Sequence, residues 1–206
     1  MNKISKSNEI IQIKKMTLKY INSIIIHKDF IKEKKNNLEF KDYFYIPKPN
    51  YYIEKIELNG SNIIFKSIES FFGNEKILSY IILPVVVVRN NLFGLKDGIY
   101  YFDVEKNSIY KYKEKIDNNI TDIMNNNNCD CLFFFCIDIQ QSIYIYEELG
   151  LLKCVTGIGK LVQFMKDNTP YTFSDELLFP QSNVSKDLDI NMKELIPIIS
   201  VILTDV

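Results

Sequence analysis

The stretch Leu78–Asn90, L-S-Y-I-I-L-P-V-V-V-V-R-N, limits the possible folds more than any other part of the chain. Side chains of a strand alternate between its two faces, and in Val85–Val88 every position is apolar. Such a strand is central and covered on both sides. Pro84 lacks an N–H, which is tolerated near a strand start. Residues 131 to 139 and Leu195–Leu203 predict two further buried strands.

The other segments give shorter signals. Gly94 and Gly98 bracket a turn, after which Ile99–Asp103 and Ile109–Tyr112 read as a tyrosine-rich hairpin closed by Val104–Ser108. Residues 61 to 72 suit a short helix capped by Ser61 and ended at Gly73, with a strand start as the alternative, and residues 115 to 124 suit a second helix. Asn125–Asn128 reads as a loop, Gln140 to about Lys166 as helical, and 167 to 191 as irregular. In residues 7 to 26, isoleucines and Leu18 recur near helical spacing, which predicts an amphipathic helix. Residues 28 to 50 are charged and aromatic, and Pro47 and Pro49 keep their end extended. The expected organisation is an N-terminal helix and arm over 1–50, followed by one α+β domain over 51–206.

Composition excludes several classes of function. Lys+Arg 25 against Asp+Glu 26 leaves a net charge of −1, so no broad positive field attracts a nucleic acid. The longest apolar runs are too short to cross a bilayer, and Met1–Lys6 lacks the features of a signal peptide. The expected location is the cytoplasm, with no nucleic acid or membrane partner. Cys129, Cys131, Cys136 and Cys154 form no paired Cys-x-x-Cys knuckles and read as reduced, buried thiols.

Arg89 is the only arginine and His27 the only histidine. A planar fork around a phosphate therefore uses Arg89 or nothing. Arg89 follows a buried strand, where it either meets a phosphate or forms a surface ion pair. His27 sits at an expected helix end, where a cation favours the dipole. Lys32, Lys34 and Lys35 read as a solvated face. Tyr43, Tyr45, Tyr51 and Tyr52 form either a partner surface or an arm folded on its own core.

Three segments carry recognisable wording. Pro84–Lys111, P-V-V-V-V-R-N-N-L-F-G-L-K-D-G-I-Y-Y-F-D-V-E-K-N-S-I-Y-K, resembles the strand and hairpin of nitroreductase-fold dehydrogenases of the SagB type. Cys131–Gln163 is similar to the strand and helix that follow, with Tyr146, Gly150, Gly159, Leu161 and Gln163 at the family's spacing. L-D-I-N-M-K-E-L-I-P-I-I-S-V-I-L resembles the terminal strand. The resemblance implies a mostly antiparallel central sheet flanked by helices. It also implies FMN between two subunits, and oxidation of azolines to azoles in a ribosomally made peptide.

The chain departs from this pattern where the cofactor belongs. The family grips the phosphate with an arginine-rich segment; here that part reads S-I-E-S-F-F-G-N-E-K, with Glu69 and Glu75. The small-residue segment beside the flavin is shortened, leaving Asn74 and Arg89 as candidate cofactor contacts. Where the family has a Lys-Tyr step, this chain has Ile145-Tyr146. Tyr146 is the remaining candidate catalytic residue, against the plainer reading of a ring that packs with its hydroxyl in water. The pattern implies a degenerate subunit whose partner, an active flavin subunit or a second copy, supplies the missing contacts. The alternatives are a self-sufficient FMN oxidoreductase and a non-enzymatic α+β binding protein.

Overall fold

The computed structural model describes residues 51–57, 62–176, 181–191 and 195–205. The expected N-terminal helix and arm over 1–50 and the expected helix cap Ser61 lie outside them. The elements run β1 (Glu54–Glu57), α1 (Ile63–Asn74), α2 (Lys76–Ser79), β2 (Ile82–Val88), β3 (Gly98–Asp103), β4 (Ser108–Lys113) and α3 (Asn118–Asn126). They continue as β5 (Cys131–Asp138), α4 (Ile139–Tyr146), α5 (Gly150–Asn168), β6 (Thr172–Glu176), α6 (Gln181–Asp187) and β7 (Leu195–Asp205). The strands form a seven-stranded sheet in the order β1-β4-β3-β2-β5-β7-β6. Every neighbouring pair is antiparallel.

The apolar runs sit at the middle of this sheet, and β2 and β5 are buried along their whole lengths. On one face Ile82, Val86, Phe133, Phe135 and Ile137 pack with residues of α1 and α5. On the other, Val85, Val87, Leu132 and Phe134 pack with Ile120 and Met124 of α3 and Val184 of α6. This two-sided cover explains why an antiparallel sheet here has continuous apolar strands rather than alternating ones. Pro84 pairs with Phe135 of β5, whereas pairing to β3 begins only at Val85, so its missing N–H interrupts no ladder towards β3. The four cysteines are buried, and none forms a disulfide. Burial pushes the Cys131 and Cys136 thiols far up, and that of Cys154 up to about 12, which keeps them protonated and poor nucleophiles.

Several local expectations change. The helix cap is Asn62, whose side chain accepts from the Ile64 N–H at 3.2 Å, and α1 runs through Gly73 to Asn74. The stretch expected to begin a strand at Leu78 first makes the short helix α2. Residues 167 to 191 contain β6 and α6 rather than irregular chain.

The helix α6 is tied to the body by Asp187, which is only 7% exposed. Its carboxylate accepts from the Asn119 N–H at 3.0 Å, the Ile120 N–H at 3.3 Å and Asn119 Nδ2 at 3.1 Å. It therefore caps the N-terminus of α3 from another element, satisfying donors that a helix leaves unpaired. Replacing Asp187 by alanine should cost about 1–2 kcal/mol, read in a urea unfolding curve, with asparagine recovering about half.

Candidate functional site

The sheet has two ends, and they divide the candidate residues. Ile82 pairs with Ile137 at one end of β2, and Val88 with Cys131 at the other, about 20 Å away. Asn74 and Tyr146 belong to the first end and Arg89 to the second.

At the first end α2 leads into β2, and β5 leads into α4. The Asp138 N–H donates to Ile81 O at 2.8 Å, which joins the two connections. Asp138, 4% exposed, also caps α4, accepting from the Gln141 N–H and from Gln141 Nε2, both at 2.9 Å. The helix stops at Tyr146. Glu147 follows with φ 56 and ψ −133, a backbone conformation that suits glycine and strains a glutamate. A single turn, Glu147–Leu149, then leads into α5. The two helices meet closely at Gly150, where a Cβ would lie 2.5 Å from Ser142 O.

Tyr146 is half-buried at this junction, its ring against the core under α5. Burial raises its hydroxyl above the ordinary tyrosine value, and Cys154 and Glu75 raise it further. It stays protonated near neutral pH and is a hydrogen-bond donor. Ile145 beside it packs into the same core and offers no base. Asn74 is exposed at the end of α1, next to Glu75. The structure therefore brings Tyr146 and the Asn74 turn to one neighbourhood, with Glu75 as the charged neighbour of the tyrosine.

Arg89 is engaged elsewhere. Its Nε donates to Asp130 Oδ1 at 2.9 Å, Nη1 to Asn125 Oδ1 at 2.7 Å and Nη2 to Cys129 O at 2.9 Å. Asn90 Nδ2 reaches the same Asp130 oxygen at 2.9 Å. The guanidinium thus clamps the end of β2 to the segment entering β5, as an ion pair with three directed bonds.

These residues do not form the phosphate grip that the resemblance implies. The one guanidinium is committed to Asp130 and lies at the other end of the sheet. The turn after Asn74 offers the single ammonium of Lys76 beside the carboxylate of Glu75. Among the described residues no group of three or more His, Cys, Asp or Glu side chains is arranged to hold a metal ion. No described helix is long and apolar enough to cross a membrane.

No family model matches the sequence, and no curated protein matches it. Solved structures do. A protein of Anabaena variabilis ATCC 29413 assigned to the nitroreductases superposes with a TM-score of 0.50 at 14% identity. The match covers 74% of this chain and 36% of that one. The chain has a nitroreductase-like fold. A chain of the E. coli microcin synthetase McbBCD complex, solved with truncated pro-MccB17 bound, also superposes with a TM-score of 0.50. It is 13% identical, over 82% of this chain and 73% of that one. This chain thus spans about a third of the Anabaena nitroreductase-like protein, and about three quarters of the microcin synthetase chain.

Sequence reasoning missed the break at Glu147. Ile139, Ile143, Gly150, Cys154, Ile158, Leu161 and Met165 are all buried, and their spacing suits one uninterrupted helix. The strained residue is a glutamate, so no glycine marked the place.

Proposed function

We propose that this chain is a degenerate nitroreductase-like subunit of an FMN-dependent dehydrogenase complex that oxidises azolines to azoles in a ribosomally synthesised peptide. The fold it shares with a chain of the microcin synthetase complex is the observation that carries this reading. The commitment of Arg89 to Asp130, Asn125 and Cys129 supports the loss of an independent phosphate grip. In this reading an active flavin subunit would hold the FMN, which would supply the hydride acceptor, and the base that takes the ring proton would also come from that subunit. A shared two-fold interface allows such a division of labour.

This chain contributes the shelf around Tyr146. The protonated hydroxyl donates a hydrogen bond to the peptide and fixes its position, while Ile145 helps to keep the site dry. With Ile145 where the family has a lysine, the preceding residue offers Tyr146 no cation to ease loss of its proton.

Co-expression with a flavin subunit from the same gene neighbourhood tests the reading. The two proteins should co-purify, the complex should be yellow, and this chain alone should be colourless. Mass spectrometry should find two hydrogens lost per azoline ring only with both subunits present. Tyr146→Phe should lower turnover about a hundredfold, by loosening the position of the peptide, while flavin content holds. If the proteins do not associate, the reading fails; a yellow chain when purified alone favours the self-sufficient oxidoreductase.

A further inference from the structure

The sheet ends at β1, and that edge is open. Among the described residues β1 has a hydrogen-bonded neighbour on one side only, β4. Glu54, Lys55 and Glu57 are exposed, whereas Ile56 is half-buried against the core. The pleat therefore turns Ile56 to one face and Lys55 and Glu57 to the other. There the two charges meet, with Lys55 Nζ 2.9 Å from Glu57 Oε1. The chain entering β1 also follows β4. The Ile53 N–H donates to Lys111 O at 2.6 Å, and the Tyr52 and Tyr110 rings meet edge to face with centroids 5.1 Å apart. Tyr51, Tyr52 and Ile53 all remain more than half exposed.

An edge strand offers unpaired N–H and C=O groups to any extended chain, and exposed charges usually keep such a chain away. Here the order of the charges selects one partner. Residues opposite each other in an antiparallel pair share a face of the sheet. When a second copy of β1 pairs antiparallel about a two-fold axis, each permitted register is therefore centred on one residue. Centred on Glu54 or on Glu57, two glutamates meet; centred on Lys55, two lysines meet. Centred on Ile56, Lys55 stands opposite Glu57 of the second copy, and Glu57 opposite its Lys55. Like charges directly opposite each other destabilise a ladder, and opposite charges support it. The four side chains form one alternating cluster, which extends the ion pair already present within each strand. A two-fold pair uses the same edge on both copies, so it closes and does not propagate into a fibre.

We propose that the β1 edge is a self-association surface, at which two copies of this chain pair antiparallel about Ile56 and join their sheets into one. The inference goes beyond the peptide-modifying reading and does not depend on it. In the sheet β4 and β3 separate β1 from β2, so the contact lies away from the Tyr146 junction, which is built beside β2 and β5. The paired segment is short, which makes the dimer weak and dependent on concentration. The exposed Tyr51, Tyr52 and Ile53 add apolar area next to it.

Sedimentation velocity of the full chain over a concentration series should show a monomer–dimer equilibrium that weakens as salt rises. Lys55→Glu and Glu57→Lys should each weaken the dimer about tenfold or more, since each sets like charges opposite one another twice. Mixing the two single variants should restore association, because two glutamates on one chain then face two lysines on the other. Carrying both substitutions on one chain should restore it as well, since opposite charges again meet at both pairs. Both side chains are exposed, so Tm should hold in every variant, and a folding defect cannot produce the rescue. A chain that stays monomeric across the series overturns the proposal. So does a dimer indifferent to both reversals, whose contact lies elsewhere, or a pair of single variants that fail to associate when mixed. The flavin-subunit reading is decided separately by co-purification: a self-pairing chain that never joins such a subunit loses that reading and keeps this one.

Discussion

Gly150→Ala should lower stability by about 3 kcal/mol, a fall in Tm of roughly 10 °C for a chain of this size. The added Cβ would lie 2.5 Å from Ser142 O, 2.6 Å from Ser142 C and 3.0 Å from Ile143 N. All three are backbone atoms of α4, and a rotamer change cannot move them aside. Either α4 shifts away from α5 or the start of α5 unwinds, and both disturb the Tyr146 turn between them. The same substitution nine residues later should have the opposite sign. A Cβ at Gly159 meets nothing within 4 Å, and the residue is exposed on the same helix. Gly159→Ala should therefore stabilise by about 0.5–1 kcal/mol, through helix propensity and a less entropic unfolded chain. Thermal and urea unfolding of the pair separates the two causes. A small loss at Gly150 would mean that the two helices are not held against each other as described. In the complex, Gly150→Ala should also reduce turnover beyond its effect on the folded fraction, because it displaces Tyr146.

The sheet was readable in the sequence because its signal is strong and local. A run such as Val85–Val88 has one comfortable place, and the glycines before β3 and the turn at Val104–Ser108 set the hairpin. Gly98 takes φ 151, and a Cβ there would lie 2.7 Å from Lys113 O, so that glycine was a true backbone signal. The edges were harder. β6 is only five residues long and ends in Ser174, Asp175 and Glu176, a polar sequence that pattern reading takes for loop. What makes it a strand is its ladder to β7, a contact with residues about thirty positions away. The helix α6 is similar, since its attachment depends on Asp187 reaching Asn119 and Ile120. At the candidate site the grouping of the residues was not legible. Asn74 and Arg89 are fifteen positions apart and fall at opposite ends of the sheet, whereas Glu75 and Tyr146 are far apart in sequence and close in space.

Arg89→Ala should cost about 2–3 kcal/mol and leave the flavin content of the co-expressed complex unchanged per folded molecule. The size follows from what the guanidinium leaves behind. Asp130 loses its cation, Asn125 Oδ1 and Cys129 O lose their donors, and all three belong to the segment that feeds β5. The groups are only partly buried, with side chains of Arg89 and Asp130 at 29% and 38% exposure, so solvent recovers some of the loss. Arg89→Lys separates structure from cofactor binding. A lysine keeps the positive charge but cannot span Asp130, Asn125 and Cys129 with one planar fork. If Arg89 is a clamp, the lysine variant should lose about half as much stability as alanine and bind flavin normally. If instead it grips a phosphate at a mixed interface, flavin content should fall in both variants at temperatures where each is fully folded. The clamp geometry predicts the first result, since a guanidinium already holding three acceptors must break those bonds before it can turn to a phosphate. Absorbance in the flavin bands, measured on the complex beside an unfolding curve of each variant, decides between them.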